Sequence, residues 1–134
     1  MNKKNLIGCL ASLLIMVTLL SATPKGDEKV MTKEDGMTVI NTTTLGKDVI
    51  GYEGATPLKV YIKKNMVVKI EALKNQETPK YMAMVKKQLL GKWDGMKVND
   101  ALQQQVDGVT GATFSSEAVK ENVRLALEYY KNHK

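Results

Sequence analysis

Cysteine is almost missing from this chain of 134 residues: Cys9 is the only one. Residues 23–134 therefore supply no disulfide, no thiolate metal site and no catalytic thiol. Histidine is as scarce, with His133 alone, one residue from the end of the sequence, where a solvated tail is the plain reading. With so few ligating side chains, neither a transition-metal centre nor a Ser-His-Asp site is expected. Arginine is represented by Arg124 alone. Specific readers of nucleic acid depend on arginine forks, so no nucleic-acid partner is expected. Neither G-x-x-x-x-G-K-[ST] nor G-x-G-x-x-G occurs, which gives no sign of a nucleotide fold built on them. The carboxylates Asp94, Asp100, Asp107, Glu117 and Glu121 show no spacing that demands a hydrolase, and no residue is assigned a catalytic or metal-binding role.

One long uncharged run is present. Lys3 and Lys4 precede Leu6 to Ala22, which carries no charge, and Pro24, Lys25, Asp27, Glu28 and Lys29 follow it. A basic start, an apolar stretch and a Ser21-Ala22 end fit a cleavable signal peptide; the same residues fit an uncleaved membrane anchor. Both readings of residues 1–22 place the rest of the chain on the outer face of the cytoplasmic membrane or in the periplasm, because the positive end stays inside. Leu6-Ile7-Gly8-Cys9 looks like a lipid-attachment box only superficially, since the apolar run lies mostly after Cys9. Removing residues 1–22 takes away two lysines and no acid, leaving +4 of the formal net charge of +6. A mildly basic surface favours an anionic partner or a phosphate-bearing cofactor.

The remainder is long enough for one domain. Residues 23–36 are polar and without period, and read as a linker to a domain at residues 37–134. Met37 to Thr44 is β-branched and reads as extended, and Asp48 to Tyr52 is a second short strand candidate. Leu58, Val60 and Ile62 alternate with Lys59, Tyr61 and Lys63; Lys64-Asn65 supplies a tight turn. The returning strand has Val68, Ile70 and Ala72 as its apolar side, or the overlapping set from Met66. From Pro79 the period changes: Tyr81, Val85 and Leu89 recur at helical spacing, and Gly91 ends the helix. Lys92 to Gln105, with the single Trp93, is mixed. From about Ser115 to Asn132, Val119, Val123, Ala126, Leu127 and Tyr130 form one stripe of an amphipathic helix. The expected fold is α+β, a small antiparallel sheet with helices packed against it, preceded by the N-terminal signal or membrane helix.

The chemistry concentrates in Asp107 to Ser116, D-G-V-T-G-A-T-F-S-S. Gly108 and Gly111 open backbone conformations closed to other residues. A helix start follows, whose free N–H groups favour an anion, and Thr110, Thr113, Ser115 and Ser116 bring hydroxyls to the same place. Two readings stay open on spacing alone: a phosphate site with nucleophilic side chains at hand, or a turn with an ordinary Ser/Thr helix cap.

D-G-V-T-G-A-T resembles the flavinylation motif D-x-x-[ST]-G-A-[ST] of FMN-binding domain proteins, among them the small flavin-bearing subunits of the sodium-translocating NADH:quinone reductase and of the Rnf complex. G-Y-E-G-A-T-P-L-K-V-Y-I is similar to that family's glycine-rich approach to the hairpin, and Glu77-Thr78-Pro79 to its E-T-P-G segment. Lys80 stands where many relatives carry glycine, and the domain is shorter than the respiratory subunits; a small stand-alone exported flavoprotein fits the length.

The resemblance implies that FMN is joined by a phosphoester to Thr113, the last motif residue. It implies that a separate flavin transferase, using magnesium, takes FMN from FAD and releases AMP. Asp107, Thr110, Gly111 and Ala112 match motif positions that serve recognition or fold, and Glu77, Thr78 and Pro79 match the upstream contact. The implied function is an exported, membrane-associated electron carrier working with a membrane or exported redox protein, rather than a stand-alone catalyst. The alternative is a module that holds FMN or another anionic ligand without a covalent bond, or an assembly component without redox turnover. Tyr81, Trp93 and Phe114 are candidates to line the ring, and Lys80 and Lys92 to favour an anionic reduced flavin; each of these also has a plain reading as core or solvated surface.

Overall fold

The computed structural model describes residues 29–134. The expected N-terminal signal or membrane helix lies outside them. No helix among the described residues is long and apolar enough to cross a membrane.

Four strands run in chain order across one antiparallel sheet: β1 (Met31–Glu34), β2 (Met37–Asn41), β3 (Leu58–Lys63) and β4 (Met66–Ala72). Both short hairpins turn on two residues with positive φ. Asp35 and Gly36 (51° and 78°) join β1 to β2; Lys64 and Asn65 (52° and 61°) join β3 to β4. Consecutive positive φ values match the twist of the flanking strands. The segment read as a linker thus contains a strand: Met31 pairs with Ile40 and Glu34 with Met37. Its polar residues left no alternation to read, because β1 sits at the sheet's edge with three of its four residues exposed.

β2 ends at Asn41, short of the expected Thr44. The Asn41 Oδ1 accepts from the Thr43 N–H at 2.9 Å and from the Thr43 hydroxyl, and this side-chain turn takes the chain out of the sheet. Asp48 to Tyr52 is not a strand either. Only Ile50 pairs, in a single bridge to Ala55.

β3 buries Leu58, Val60 and Ile62 as the alternation predicts. β4 departs from it. The register shifts opposite Tyr61 and Ile62, so that Tyr61 faces Lys69 while Ile62 faces Val67. The extra residue of this bulge turns Val67 into the core and leaves Val68 exposed, because a one-residue insertion exchanges the faces of a strand. Val67, not Val68 or Met66, therefore joins Ile70 on the buried side.

The helices cover one face of the sheet: α1 (Pro79–Gln88), a 3-10 turn (Leu90–Trp93), α2 (Val98–Gln103) and α3 (Thr113–His133). α1 contributes Met82 and Val85, with Leu89 just past its end, and α3 contributes Val119, Val123, Ala126, Leu127 and Tyr130. These meet Ile40, Leu58, Val60 and Ile62 from the strands. Burial of such side chains stabilises by about 1.5–3 kcal/mol each. Trp93 belongs to this core as well.

On the opposite face, Tyr61 is buried and donates from its hydroxyl to Glu71 Oε2 at 3.0 Å. Lys69 lies over the ring and pairs with Glu71. Burial first, then the Glu71 carboxylate, pushes the Tyr61 phenol up to about 12. A phenol that keeps its proton in the folded state, where the unfolded chain loses it, makes stability fall as pH rises from about 10 to about 12. Solvent around the half-exposed Glu71 screens part of this, so the loss is at most about 2–3 kcal/mol. Denaturant unfolding across that range checks this: Tyr61→Phe flattens the decline.

Candidate functional site

The site is assembled from three segments that meet at one end of the sheet. The first is the turn between β2 and β3. Ile50 bridges Ala55, and the Gly51 N–H bonds to the Gly54 carbonyl at 2.8 Å. Between them Tyr52 projects outward, 53% exposed. This turn is held from behind by Glu77, whose residue is only 5% exposed. Its two carboxylate oxygens accept from the N–H groups of Tyr52 (2.8 Å) and Glu53 (3.0 Å). Such a carboxylate satisfies two donors at once and fixes the plane of the turn. Asn75 sets its position: Asn75 Oδ1 accepts from the Glu77 N–H, and its amide donates to the Leu73 carbonyl. A Cβ at residue 51 would lie 1.8 Å from Glu77 Oε1, so only glycine lets the carboxylate come this close.

The second segment is the start of α1. Pro79 occupies its first turn, where its missing N–H costs nothing, and Tyr81 follows half-buried. The third is the loop into α3. Val106 and Val109 are buried and pin its inner side. The Ser116 hydroxyl accepts from the Val109 N–H at 2.9 Å and donates to the Ala112 carbonyl at 2.7 Å. Gly111 takes φ of +86°, a conformation strained for other residues.

α3 then begins at Thr113, two residues before the expected Ser115. Ala112 stands at the N-cap and no side chain caps the helix. The first i→i−4 bond runs from Ser116 N–H to the Ala112 carbonyl, which leaves the N–H groups of Thr113, Phe114 and Ser115 without a partner among the described residues. No carboxylate occupies the first turn. An ordinary Ser/Thr cap is thus not what this loop provides: its four hydroxyls leave the helix start open, and Ser116 bonds inward instead.

These segments enclose a cleft of about 230 Å³ lined by Tyr52, Tyr81, Phe114, Gly111, Ala112, Thr113 and Ser115. Tyr52 meets Tyr81 edge-on at 5.4 Å between centroids and Phe114 at 6.3 Å with a 31° tilt. Phe114 is 67% exposed. The Thr113 side chain is at the surface of this mouth. Larger hollows exist, such as a groove of about 670 Å³ on the outer sheet face beside Lys29, Lys59 and Lys74. That groove, among the described residues, does not join aromatic faces, a hydroxyl and an open helix start. The cleft does, and that set suits a flat aromatic ligand carrying a phosphate.

The sequence-derived residues fall into three groups. Thr113, Gly111 and Ala112 line the cleft, with Tyr81 and Phe114. Asp107 and Thr110 are exposed outside it. Glu77 sits behind the Tyr52 turn, and Thr78 and Pro79 start α1 without lining the cleft. Trp93 is a core residue that faces a different groove, and neither Lys80 nor Lys92 lines the cleft. Tyr52 was missed as a ring-lining residue; the two glycines around Tyr52-Glu53 were the available signal.

A family model described as FMN-binding domain matches residues 51–128. That range runs from Gly51 through the Thr113 cleft and most of α3. No curated protein and no solved structure matches the chain.

Proposed function

The chain belongs to the FMN-binding domain family, and from that premise we propose that its FMN is joined covalently to Thr113 and serves as an electron carrier on the outer side of the cytoplasmic membrane. The observation that carries this reading is the exposed Thr113 in an uncapped first turn, at the mouth of an aromatic cleft.

Bound FMN takes up and returns one or two electrons. Tyr52, Tyr81 and Phe114 give the ring apolar faces, and the open helix start holds the phosphate. In the attachment step Thr113 Oγ1 bonds to the riboflavin-bearing phosphorus of FAD. The phosphoanhydride bond breaks, AMP leaves, and the hydroxyl proton passes to a base of the transferase. Among the described residues no carboxylate or histidine lines the cleft, which suits a threonine activated by another enzyme. Asp107 and Thr110, exposed beside the cleft rather than in it, suit recognition by that transferase. The apolar run of residues 6–22 supports export and membrane association, and a redox protein in or at the membrane is the partner. Covalent attachment prevents loss of the cofactor outside the cytoplasm.

The test is denaturation of the protein purified from its native host, followed by size separation. Flavin fluorescence that stays with the unfolded chain supports the covalent bond. Flavin that separates as a small molecule overturns it and leaves a non-covalent FMN module.

A further inference from the structure

Ser115 lines the cleft, and its hydroxyl is the one buried side-chain group of that lining without a hydrogen-bond partner among the described residues. Ser115 is 1% exposed, and its Oγ finds no hydrogen-bond partner. It lines the same cleft as Thr113, two residues along the helix. A buried hydroxyl without a partner is costly and uncommon. Ser116, next in the chain, both donates and accepts, and three backbone N–H groups around Ser115 are also without a partner among the described residues. The first turn of α3 thus carries four donors without acceptors among the described residues, and no carboxylate stands in that turn to answer them. A dianionic or monoanionic phosphate oxygen is the acceptor that such a set fits.

We propose that Ser115 Oγ donates to a non-bridging oxygen of the FMN phosphate, making Ser115, with the open helix start, a phosphate anchor that is present before any covalent bond forms. The chain then distinguishes FMN from riboflavin by itself. Ser115 is a positioning residue: it places the phosphorus beside Thr113 and takes no part in bond making. The inference rests on reading the cleft as the FMN site but not on the covalent bond at Thr113.

The two are separated by working with full-length chain made without a flavin transferase and kept in detergent. Its backbone amide resonances are followed while FMN, riboflavin or inorganic phosphate is added. The expected result is that FMN and phosphate both move the Thr113 and Ser115 amides downfield, as N–H groups bonded to phosphate do, whereas riboflavin, whose ring reaches Phe114, gives no such downfield shift. Ser115→Ala weakens FMN binding about tenfold, the effect of one hydrogen bond to a charged group, and leaves riboflavin unaffected. The same substitution raises the Tm of the unliganded chain, because it removes a buried hydroxyl that has no partner. Weaker phosphate binding together with higher stability is the signature of a ligand anchor, since a structural serine would lose both. Two results overturn the proposal: FMN and riboflavin acting alike on these amides, including neither acting at millimolar concentration, or Ser115→Ala lowering the Tm while FMN binding stays the same.

Discussion

Gly51→Ala costs about 3–5 kcal/mol in urea unfolding and exposes the bound flavin. The new Cβ would stand 1.8 Å from Glu77 Oε1, so the carboxylate must withdraw. Its bonds to the Tyr52 and Glu53 N–H groups break together. Hydrogen bonds to a charged acceptor contribute about 1.5–3 kcal/mol each, which sets the size of the effect. A domain of this size has about 5–15 kcal/mol in total, so the variant is severely weakened. Glu77→Ala produces the same loss by removing the acceptor, and Glu77→Gln, which keeps one oxygen, loses less. Tyr52 is carried by this turn, so its contacts with Tyr81 and Phe114 go with it. Brighter flavin fluorescence in the loaded variant reports that change. A cost below about 1 kcal/mol would mean that the carboxylate does not hold the turn.

Thr113→Ala gives the opposite pattern: all covalent flavin is lost and the fold is untouched. The side chain is exposed, caps no backbone group and accepts no hydrogen bond, so its removal changes stability by less than about 0.5 kcal/mol. A capping threonine would cost about 0.5–2 kcal/mol, and the difference is readable in the same urea experiment. Thr113→Ser keeps a hydroxyl at the same place and retains flavin. Flavin on Thr113→Ala at the wild-type level would move the attachment to another of the clustered hydroxyls, Thr110 or Ser115.

The sequence made some of this visible and hid the rest for definite reasons. The β3 alternation and the α3 stripe were legible because each side chain's burial follows its own element's period. Val67 was not, since a bulge changes the phase of a strand without leaving a mark in residue type. β1 was hidden by its exposure: an edge strand with polar residues on both faces has no pattern to read. In the site, Thr113 and Gly111 stood out by motif. Glu77 could be matched by resemblance, but its task, holding the Tyr52 turn across 25 residues of chain, depends on a long-range contact that spacing does not encode. Trp93 was open to a ring-lining and to a core reading, and packing puts its ring in the core. The open helix start needed the coordinates, because serines and threonines at a helix N-terminus normally cap it.

The most direct measurement is the mass of the tryptic peptide Val98–Lys120 from protein purified from the native host. One FMN residue is expected on this peptide, with fragmentation placing it on Thr113. An unmodified Thr113, in a host that contains a flavin transferase, would contradict covalent attachment at this residue.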